Sequence, residues 1–320
     1  MSKSSTILSA RAVARRGAVV SVLLALGAAG CTESSAPPSP LVVPPFVYVA
    51  DVAGYQTLMR WDTGVVTPLT SGSNNYEPYS AGGKLVFTST RDVMPQIYVS
   101  DPNVTTVRRV TCSSSYDVTA TLSPRGDSIA FVSTRSGTPR VWLVNTPSLA
   151  PPASMAASIC DTPVALATGS ADWVPENAPA WSPLGSQLAF TSTRDGISQV
   201  YLIASGGGTP VKVTNEMLGA FQPTWSADGT TLYYVAAMPA LVLRKINIGS
   251  GAVKTIVDAD NDGDVDVSGP MSCISTACVF SSEPGEASGN MYVMHPKQTD
   301  ATIVFPRTAA MERQPAIIKQ

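Results

Sequence analysis

The chain has 320 residues, of which 44% are hydrophobic and 14% charged, and its formal net charge is −2. This composition provides enough apolar side chain for a core and excludes a disordered chain, and it lacks the basic excess of a nucleic-acid-binding protein. The 24 Gly and 26 Pro residues favour many short strands, and the single histidine excludes mechanisms that need a cluster of imidazoles.

The N-terminal residues 1–30 resemble an export signal, because a basic segment precedes an apolar stretch, 18–29, that is too short to span a bilayer. The sequence Ala-Ala-Gly-Cys at 28–31 resembles the bacterial lipobox, which implies lipidation of Cys31. The alternative is an ordinary secretory signal followed by a chance cysteine. We therefore expect a lipid anchor in the cell envelope, on the periplasmic face of the outer membrane or on the cell surface.

Residues 31–45 are rich in Ser and Pro, which predicts an extended spacer between the lipid and a globular domain. The domain itself is expected to occupy residues 46–320. We expect it to be a monomer that reaches the membrane only through its lipid.

Internal repeats dominate the rest of the chain. The segments LVFTSTRD (85–92), IAFVSTRS (129–136) and LAFTSTRD (188–195) are nearly identical, and 232–238 and 278–284 are weaker copies. A large apolar residue stands nine residues before the central aromatic in four copies, and Tyr79 stands eight before Phe87. Those four apolar residues are Leu122, Trp181, Trp225 and Met271.

Each copy is followed by two further alternating segments, so the unit is predicted to contain four short antiparallel strands. The central aromatics recur about every 45 residues, which is propeller spacing. One longer spacing reflects an insert at 147–162. The first unit, from Phe46, lacks a first strand, whereas RQPAII at 313–318 matches the first strands elsewhere. We therefore predict an all-β, six-bladed β-propeller of four-stranded blades, closed by the C-terminal strand completing the first blade.

The best copy, PAWSPLGSQLAFTSTRDGISQVYL at 179–202, resembles the TolB-type propeller repeat, and the resemblance covers roughly residues 46–318. For TolB itself the resemblance implies docking to a peptidoglycan-associated lipoprotein within the envelope Tol system. The family's Asp in the first turn survives only as Asp228; Leu184 and Arg125 stand at the matching positions. TolB also carries an α/β domain ahead of its propeller, for which no sequence is present here, so a Tol role is not assigned.

An acidic segment between the fifth and sixth units has the spacing of a calcium-binding loop. Its carboxylates alternate, and Gly263 lies at the position of the sharp turn. Gly269 replaces the final bidentate Glu. Two interpretations stay open, a structural Ca²⁺ site and a solvated acidic loop. The candidate ligands are Asp258, Asp260, Asp262, Asp264 and Asp266.

The cysteines other than Cys31 are expected to form disulfides in an oxidising compartment. Cys273 and Cys278 flank a four-residue turn and can face each other across a hairpin. Cys112 and Cys160 are then left to pair, although they are expected at opposite ends of their strands.

Arg91, Arg135 and Arg194 recur at the end of the same segment, where they could form an anion site. Because the same residue recurs in every good copy, we favour a role inside each blade. The Trp and Tyr residues of the first strands are likewise interpreted as core or channel lining.

Two classes of function follow. The favoured one is a non-catalytic lipoprotein whose propeller binds or scaffolds an envelope protein. The alternative is a propeller enzyme, either a calcium-dependent lactonase or a polysaccharide lyase. Because the lyases of this fold use several histidines and this chain has only His295, the binding role is preferred.

Overall fold

The computed structural model describes residues 42–150, 160, 162–237, 241–258, 271–282, 290–296, 300–305 and 313–319. These residues form β-strands joined by turns. No helix among them is long and apolar enough to cross a bilayer. The strands of the first half are, in chain order, β1 (Phe46–Val52), β2 (Tyr55–Asp62), β3 (Val65–Pro68), β4 (Asn75–Ala81), β5 (Lys84–Ser89), β6 (Gln96–Ser100), β7 (Val107–Arg109), β8 (Asp117–Leu122), β9 (Ser128–Ser133), β10 (Arg140–Asn145) and β11 (Val164–Ala165).

The second half continues the same pattern. Its strands are β12 (Glu176–Trp181), β13 (Gln187–Ser192), β14 (Gln199–Ala204), β15 (Val211–Lys212), β16 (Ala220–Trp225), β17 (Thr231–Ala237), β18 (Leu241–Asn247), β19 (Val253–Thr255), β20 (Val257–Asp258), β21 (Ser272–Cys273), β22 (Cys278–Ser282), β23 (Asn290–Met294), β24 (Asp300–Phe305) and β25 (Arg313–Ile317).

The strands form six sheets, each built on an antiparallel meander of four strands that we call a blade. From the innermost strand outward, blade 1 is β25-β1-β2-β3, blade 2 is β4 to β7, blade 3 is β8 to β11, blade 4 is β12 to β15, blade 5 is β16 to β19, and blade 6 is β21 to β24. The innermost strands contact each other in the cyclic order β25, β4, β8, β12, β16, β21 and back to β25. The predicted six-bladed β-propeller is thereby confirmed.

The ring is closed where the end of the chain meets the first described strand. β25 pairs with β1, placing Phe46 opposite Ile317 and Val47 opposite Ala316. Ile318 then donates its backbone N–H to the carbonyl of Pro45 at 3.0 Å. The prediction that the C-terminal strand completes blade 1 is confirmed, and the pairing covers an edge that would otherwise expose its hydrogen-bonding groups.

The central strands are buried on both faces, which explains why the repeated segments read as nearly continuous apolar runs. Phe87, Phe131, Phe190 and Phe280 are fully buried. Each apolar cluster joins neighbouring blades: one packs Val86 and Ile97 of blade 2 against Leu122 and Phe131 of blade 3. A single blade cannot bury both its faces, so its stability depends on its two neighbours.

In two blades the first strand is aligned differently from the sequence prediction, because the turn that follows it is shorter. Trp225 pairs with Leu232, and the corresponding pairs are Cys273 with Cys278 in blade 6 and Ser80 with Leu85 in blade 2. The residues equivalent to Trp225 are therefore Cys273 and Ser80, not Met271 and Tyr79. The count of eight or nine residues back from the central aromatic misaligns these two strands, because their hairpin turns are shorter than the turn of blade 5. The blade 2 turn has only Gly82 and Gly83, with φ of 56° and 67°, as a tight hairpin turn requires.

Blade 6 also departs from the four-stranded pattern, since the structure adds β20 as a fifth strand parallel to β24. The segment Val253–Val257 resembles the outer strands of other blades, which favours one outer strand of blade 5. Instead β19 ends at Thr255, and Ile256 is fully buried in a cluster that contains residues of blades 5 and 6. This burial holds the chain at the seam, where it crosses from one blade to the next.

Candidate functional site in the central channel

The innermost strands share a bulge that shapes the channel. In five blades one residue of this strand has positive φ, between 47° and 55°, and the pairing register shifts at or next to that residue. A non-glycine residue in this conformation is uncommon, and bulges re-aim the neighbouring side chains. The residue that follows is Pro in four of these blades and Ala in blade 3. The five residues are Glu77, Thr119, Ala178, Gln222 and Gln314.

These bulges surround a cavity of about 100 Å³ on the axis of the ring. Among the described residues that line it, Glu77 is the only acidic side chain. Further polar side chains come from Tyr79, Thr119, Thr121, Gln222, Thr224, Ser272 and Gln314. The described part of the channel is therefore a polar passage with a single carboxylate.

Glu77 is held by bonds from two neighbouring strands. Its carboxylate accepts hydrogen bonds from Thr88 Oγ1 at 2.9 Å, from the Thr119 backbone N–H at 2.7 Å and from Thr119 Oγ1 at 3.1 Å. Its own backbone N–H donates to Gln314 Oε1 at 2.9 Å. Burial raises the pKa of this carboxyl above its usual value, and the bonds from Thr119 and Thr88 oppose that rise in pKa. No basic side chain of the described residues pairs with it.

The channel widens into a funnel of about 460 Å³ at the end of the ring that carries the turns between first and second strands. We call this end the funnel face. Trp181 and Trp225 form part of the wall and are more than nine-tenths buried. Tyr79 and Ile274 add half-buried apolar surface, and the Lys319 ammonium lies 5.1 Å from the Tyr79 ring centroid. A concave wall of this composition suits an apolar segment that carries a few polar groups.

The predicted first-strand aromatics do form core and channel lining. The Trp225 indole packs in the cluster between blades 4 and 5, and Trp181 packs between blades 3 and 4. The interpretation of these residues as core agrees with the structure.

The repeated arginines are structural in two blades. Arg135 Nη2 lies 2.9 Å from the Asp117 carboxylate, and Arg194 Nη2 lies 3.1 Å from that of Glu176. Each guanidinium also covers two aromatic rings of its own blade. Both carboxylates are fully buried, so these pairs neutralise charge inside the blade. Arg91 differs, because its corresponding partner is the amide of Asn75.

The structure contains both predicted disulfides. Cys273 and Cys278 face each other across the blade 6 hairpin with a Cα–Cα distance of 4.1 Å, and Cys112 and Cys160 are 5.9 Å apart. The expectation that Cys112 and Cys160 lie at opposite ends of their strands is therefore wrong, because the structure places the two residues side by side. Near the start of the insert, the Ala150 carbonyl accepts a hydrogen bond from Arg108 at 3.1 Å.

Three predicted features fall on other parts of the chain. The structure does not describe Cys31 or the export signal. It also does not describe Asp260 to Asp266 of the acidic segment. Of Asp258, at the end of β20, only the backbone is described. The calcium site and the lipidation therefore stay predictions. In the described part of the chain, no group of three or more His, Cys, Asp or Glu side chains is placed to hold an ion. His295 follows β23 and does not line the channel or the funnel.

Glu77, Thr119 and Asn75 were not among the residues predicted from the sequence. A usable signal for Glu77 is present, because the segment YEPY repeats the x-Pro-x pattern of the first strands with an acidic residue before the proline. Asp127 was not predicted to belong to a turn either. It accepts a hydrogen bond from Ser123 Oγ at 2.6 Å and so replaces the family Asp absent at Arg125.

This architecture defines the protein as a closed six-bladed β-propeller with an axial channel. Comparison with known proteins makes the assignment more specific, although no protein-family model matches the chain. The TolB homolog of Chlorobium luteolum is 28% identical over 156 residues, which are 49% of this chain and 32% of that protein. The uncharacterized peptidase YuxL of Bacillus subtilis is 38% identical over 61 residues, 19% of this chain and 9% of that protein.

Solved structures agree with this fold. TolB from Acinetobacter baumannii superposes with a TM-score of 0.69 at 18% identity, covering 87% of this chain and 67% of that one. A puromycin-hydrolyzing peptidase of Mycobacterium tuberculosis superposes with a TM-score of 0.56 at 12% identity, covering 81% and 44%. The protein is a TolB-like β-propeller. Its matches span a third or less of the length of these two curated relatives.

Proposed function

We propose that this protein is a non-catalytic binding module of the cell envelope, anchored through Cys31, whose funnel holds a segment of another envelope protein. The observation that carries the proposal is the funnel itself, which combines an apolar wall with the half-buried Lys319 at the mouth of a closed ring. Likeness to TolB in fold supports a protein-binding role.

The lining of the channel argues against the enzymatic alternative. A calcium-dependent lactonase needs several oxygen ligands that converge on the axis, and a lyase of this fold needs histidines. Of the described residues that line the channel and the funnel, Glu77 is the single acidic one, and none is histidine. The peptidase neighbours match over less than half of their length, so their resemblance concerns the fold alone.

The point where the chain enters β1 is consistent with this proposal. Pro45, the last residue before β1, is hydrogen-bonded to Ile318, which lines the funnel, so the spacer enters the propeller beside its rim. At about 3.1 Å per residue, an extended spacer from Cys31 to Pro45 reaches roughly 40 Å. A lipid-anchored protein could then reach partners within this distance of the bilayer.

A photo-crosslinking amino acid at Ile274, in the funnel, tests the binding role in cells that express the full chain. The control carries the same amino acid at Val211, which is exposed on the outer strand β15. We expect a defined protein adduct from Ile274 and none from Val211. Identical adducts from both positions, or none from either, would refute a funnel-directed partner. Metabolic labelling with an alkyne fatty acid tests the anchor, because Cys31→Ser should abolish incorporation.

A further inference from the structure

Arg91 differs from the other two repeated arginines in the charge of its buried partner. In blades 3 and 4 the guanidinium is neutralised by a fully buried carboxylate, Asp117 or Glu176. In blade 2 the same position is Asn75, fully buried, whose Oδ1 accepts a hydrogen bond from Arg91 Nη2 at 3.1 Å. The amide reproduces the hydrogen bond but supplies no negative charge.

Arg91 makes the same local contacts as its counterparts, although it is exposed where Arg135 and Arg194 are half-buried. Its Nε donates to Ser89 Oγ at 3.0 Å, and its Cζ lies 4.6 Å from the Tyr98 ring centroid and 5.5 Å from that of Phe87. Its Nη1 has no hydrogen-bond acceptor among the described residues. A planar, fixed guanidinium with a free edge is preorganised to bind a carboxylate.

That guanidinium lines a groove of about 580 Å³ at the seam between blades 1 and 2. One part of the wall is apolar, formed by Pro68, Leu69, Val104 and Val107, and another part carries the hydroxyl groups and backbone of Thr70–Ser73. The acid next to Arg91 in the chain is Asp92, which already pairs with Arg109 at 3.1 Å and accepts a bond from the Tyr98 hydroxyl. The charge of Arg91 therefore remains available to a ligand in the groove.

We infer that this groove, formed by Arg91 and the segment 68–73, is a second binding site that takes a carboxylate group adjoining an apolar group. Such a ligand is an acidic side chain or the C-terminus of a protein segment. The external carboxylate supplies the charge that Asp117 and Glu176 supply internally in the neighbouring blades, while the apolar wall receives the adjoining group. The site lies outside the channel and does not depend on the function proposed for the funnel.

Titration of the isotope-labelled full chain with N-acetyl-leucine, followed by amide chemical shifts, tests this site. N-acetyl-leucinamide has the same apolar group without the charge. We expect saturable shifts at Gly72 and Ser73 with the acid and none with the amide. Asn75→Asp, which restores the internal carboxylate of the other blades, should weaken binding of the acid by about tenfold or more, as expected for loss of a charge-assisted bond.

The control is Arg194→Gln, which changes the equivalent arginine of blade 4 and should leave the blade 2 shifts unchanged. Arg91→Gln is a second variant that should lose binding, and it serves if Asn75→Asp does not fold. Thermal unfolding establishes that Arg91→Gln itself is folded. Equal binding of the acid to the wild-type protein and to these blade 2 variants would overturn the site. So would equal binding of acid and amide, or binding of inorganic sulfate in place of the acid.

Discussion

The indole Nε1–H of Trp225 donates a hydrogen bond to the backbone carbonyl of Ala180 at 3.1 Å, across the seam between blades 5 and 4. The repeat places Trp181 and Thr121 in the same relation between blades 4 and 3. There, within the described part of the chain, neither Trp181 Nε1 nor Thr121 Oγ1 has a partner.

Replacing Thr121 by Val should stabilise the protein by about 1 kcal/mol, because it removes a buried unpaired hydroxyl while keeping the shape of the side chain. Urea unfolding measures the change. Thr119→Val is the matched control, two residues away on the same strand. It should destabilise the protein, because Thr119 Oγ1 donates a hydrogen bond to Glu77. A loss of stability in Thr121→Val would mean that its hydroxyl is satisfied by ordered water in the channel.

Glu77→Gln should stabilise the protein at neutral pH. Burial raises the pKa of Glu77 in the folded state, so the folded protein binds this proton more tightly than the unfolded chain does. The free energy of unfolding then falls as pH rises from the ordinary Glu pKa of about 4.3 through the raised pKa. Gln remains neutral and can keep the bonds to Thr88 and Thr119.

Thermal unfolding between pH 4 and pH 8 tests this expectation. The advantage of Glu77→Gln should be largest at the alkaline end and vanish near pH 4. Asp172→Asn, at a fully exposed carboxyl, should show no such trend. A variant less stable than wild type at pH 8 would show that the ionised carboxylate is stabilising, and would contradict the prediction.

The arginine pairs should differ in their contribution to stability. Arg135→Gln leaves the fully buried Asp117 without a cation, and we expect a loss of about 3 kcal/mol. Arg91→Gln leaves only the neutral Asn75, so about 1 kcal/mol should be lost. Urea unfolding of the two variants under the same conditions makes the comparison. Equal losses would mean that aromatic stacking, common to both arginines, determines stability instead of charge pairing.

The disulfides should stabilise the protein to different degrees. Cys112 and Cys160 are separated by 48 residues, and Cys273 and Cys278 by 5. Because a longer closed loop loses more entropy in the unfolded chain, replacing both cysteines of a pair by Ser should cost about 4 kcal/mol for the first and about 2 kcal/mol for the second. Denaturant unfolding measures both, and mass spectrometry of unreduced peptides verifies the pairing. The reverse order would point to a cost of the disulfide in the native state.

Calcium binding by the acidic segment remains to be measured. If Asp258 to Asp266 hold Ca²⁺, a chelator should lower the unfolding midpoint and added calcium should restore it, since binding to the folded state alone stabilises it. Asp260→Asn combined with Asp262→Asn should remove this response. A midpoint unaffected by the chelator would leave the solvated acidic loop as the explanation.

Much of the fold could be predicted from the sequence. The number of blades follows from the central aromatics, and the closure of the ring follows from the match of RQPAII to other first strands. Both signals are local and repeated, so each copy supports the others. The same reasoning misplaced Met271 and Tyr79, because a count along the chain cannot detect that a hairpin turn has become shorter.

The candidate site was less accessible to such reasoning. Glu77 is one of several acidic residues in the sequence, and its isolation on the axis depends on what five other blades place beside it. In the sequence, Arg91 cannot be distinguished from Arg135 and Arg194. Only the structure shows that Asn75 stands where blades 3 and 4 have an acid. The fourfold strand pattern and the closed ring were determined by the sequence alone, because alternation and repetition act over neighbouring residues. The lone carboxylate, the uncompensated guanidinium and the Cys112–Cys160 contact were decided by the tertiary structure, because charge balance and contact depend on residues that only folding brings together.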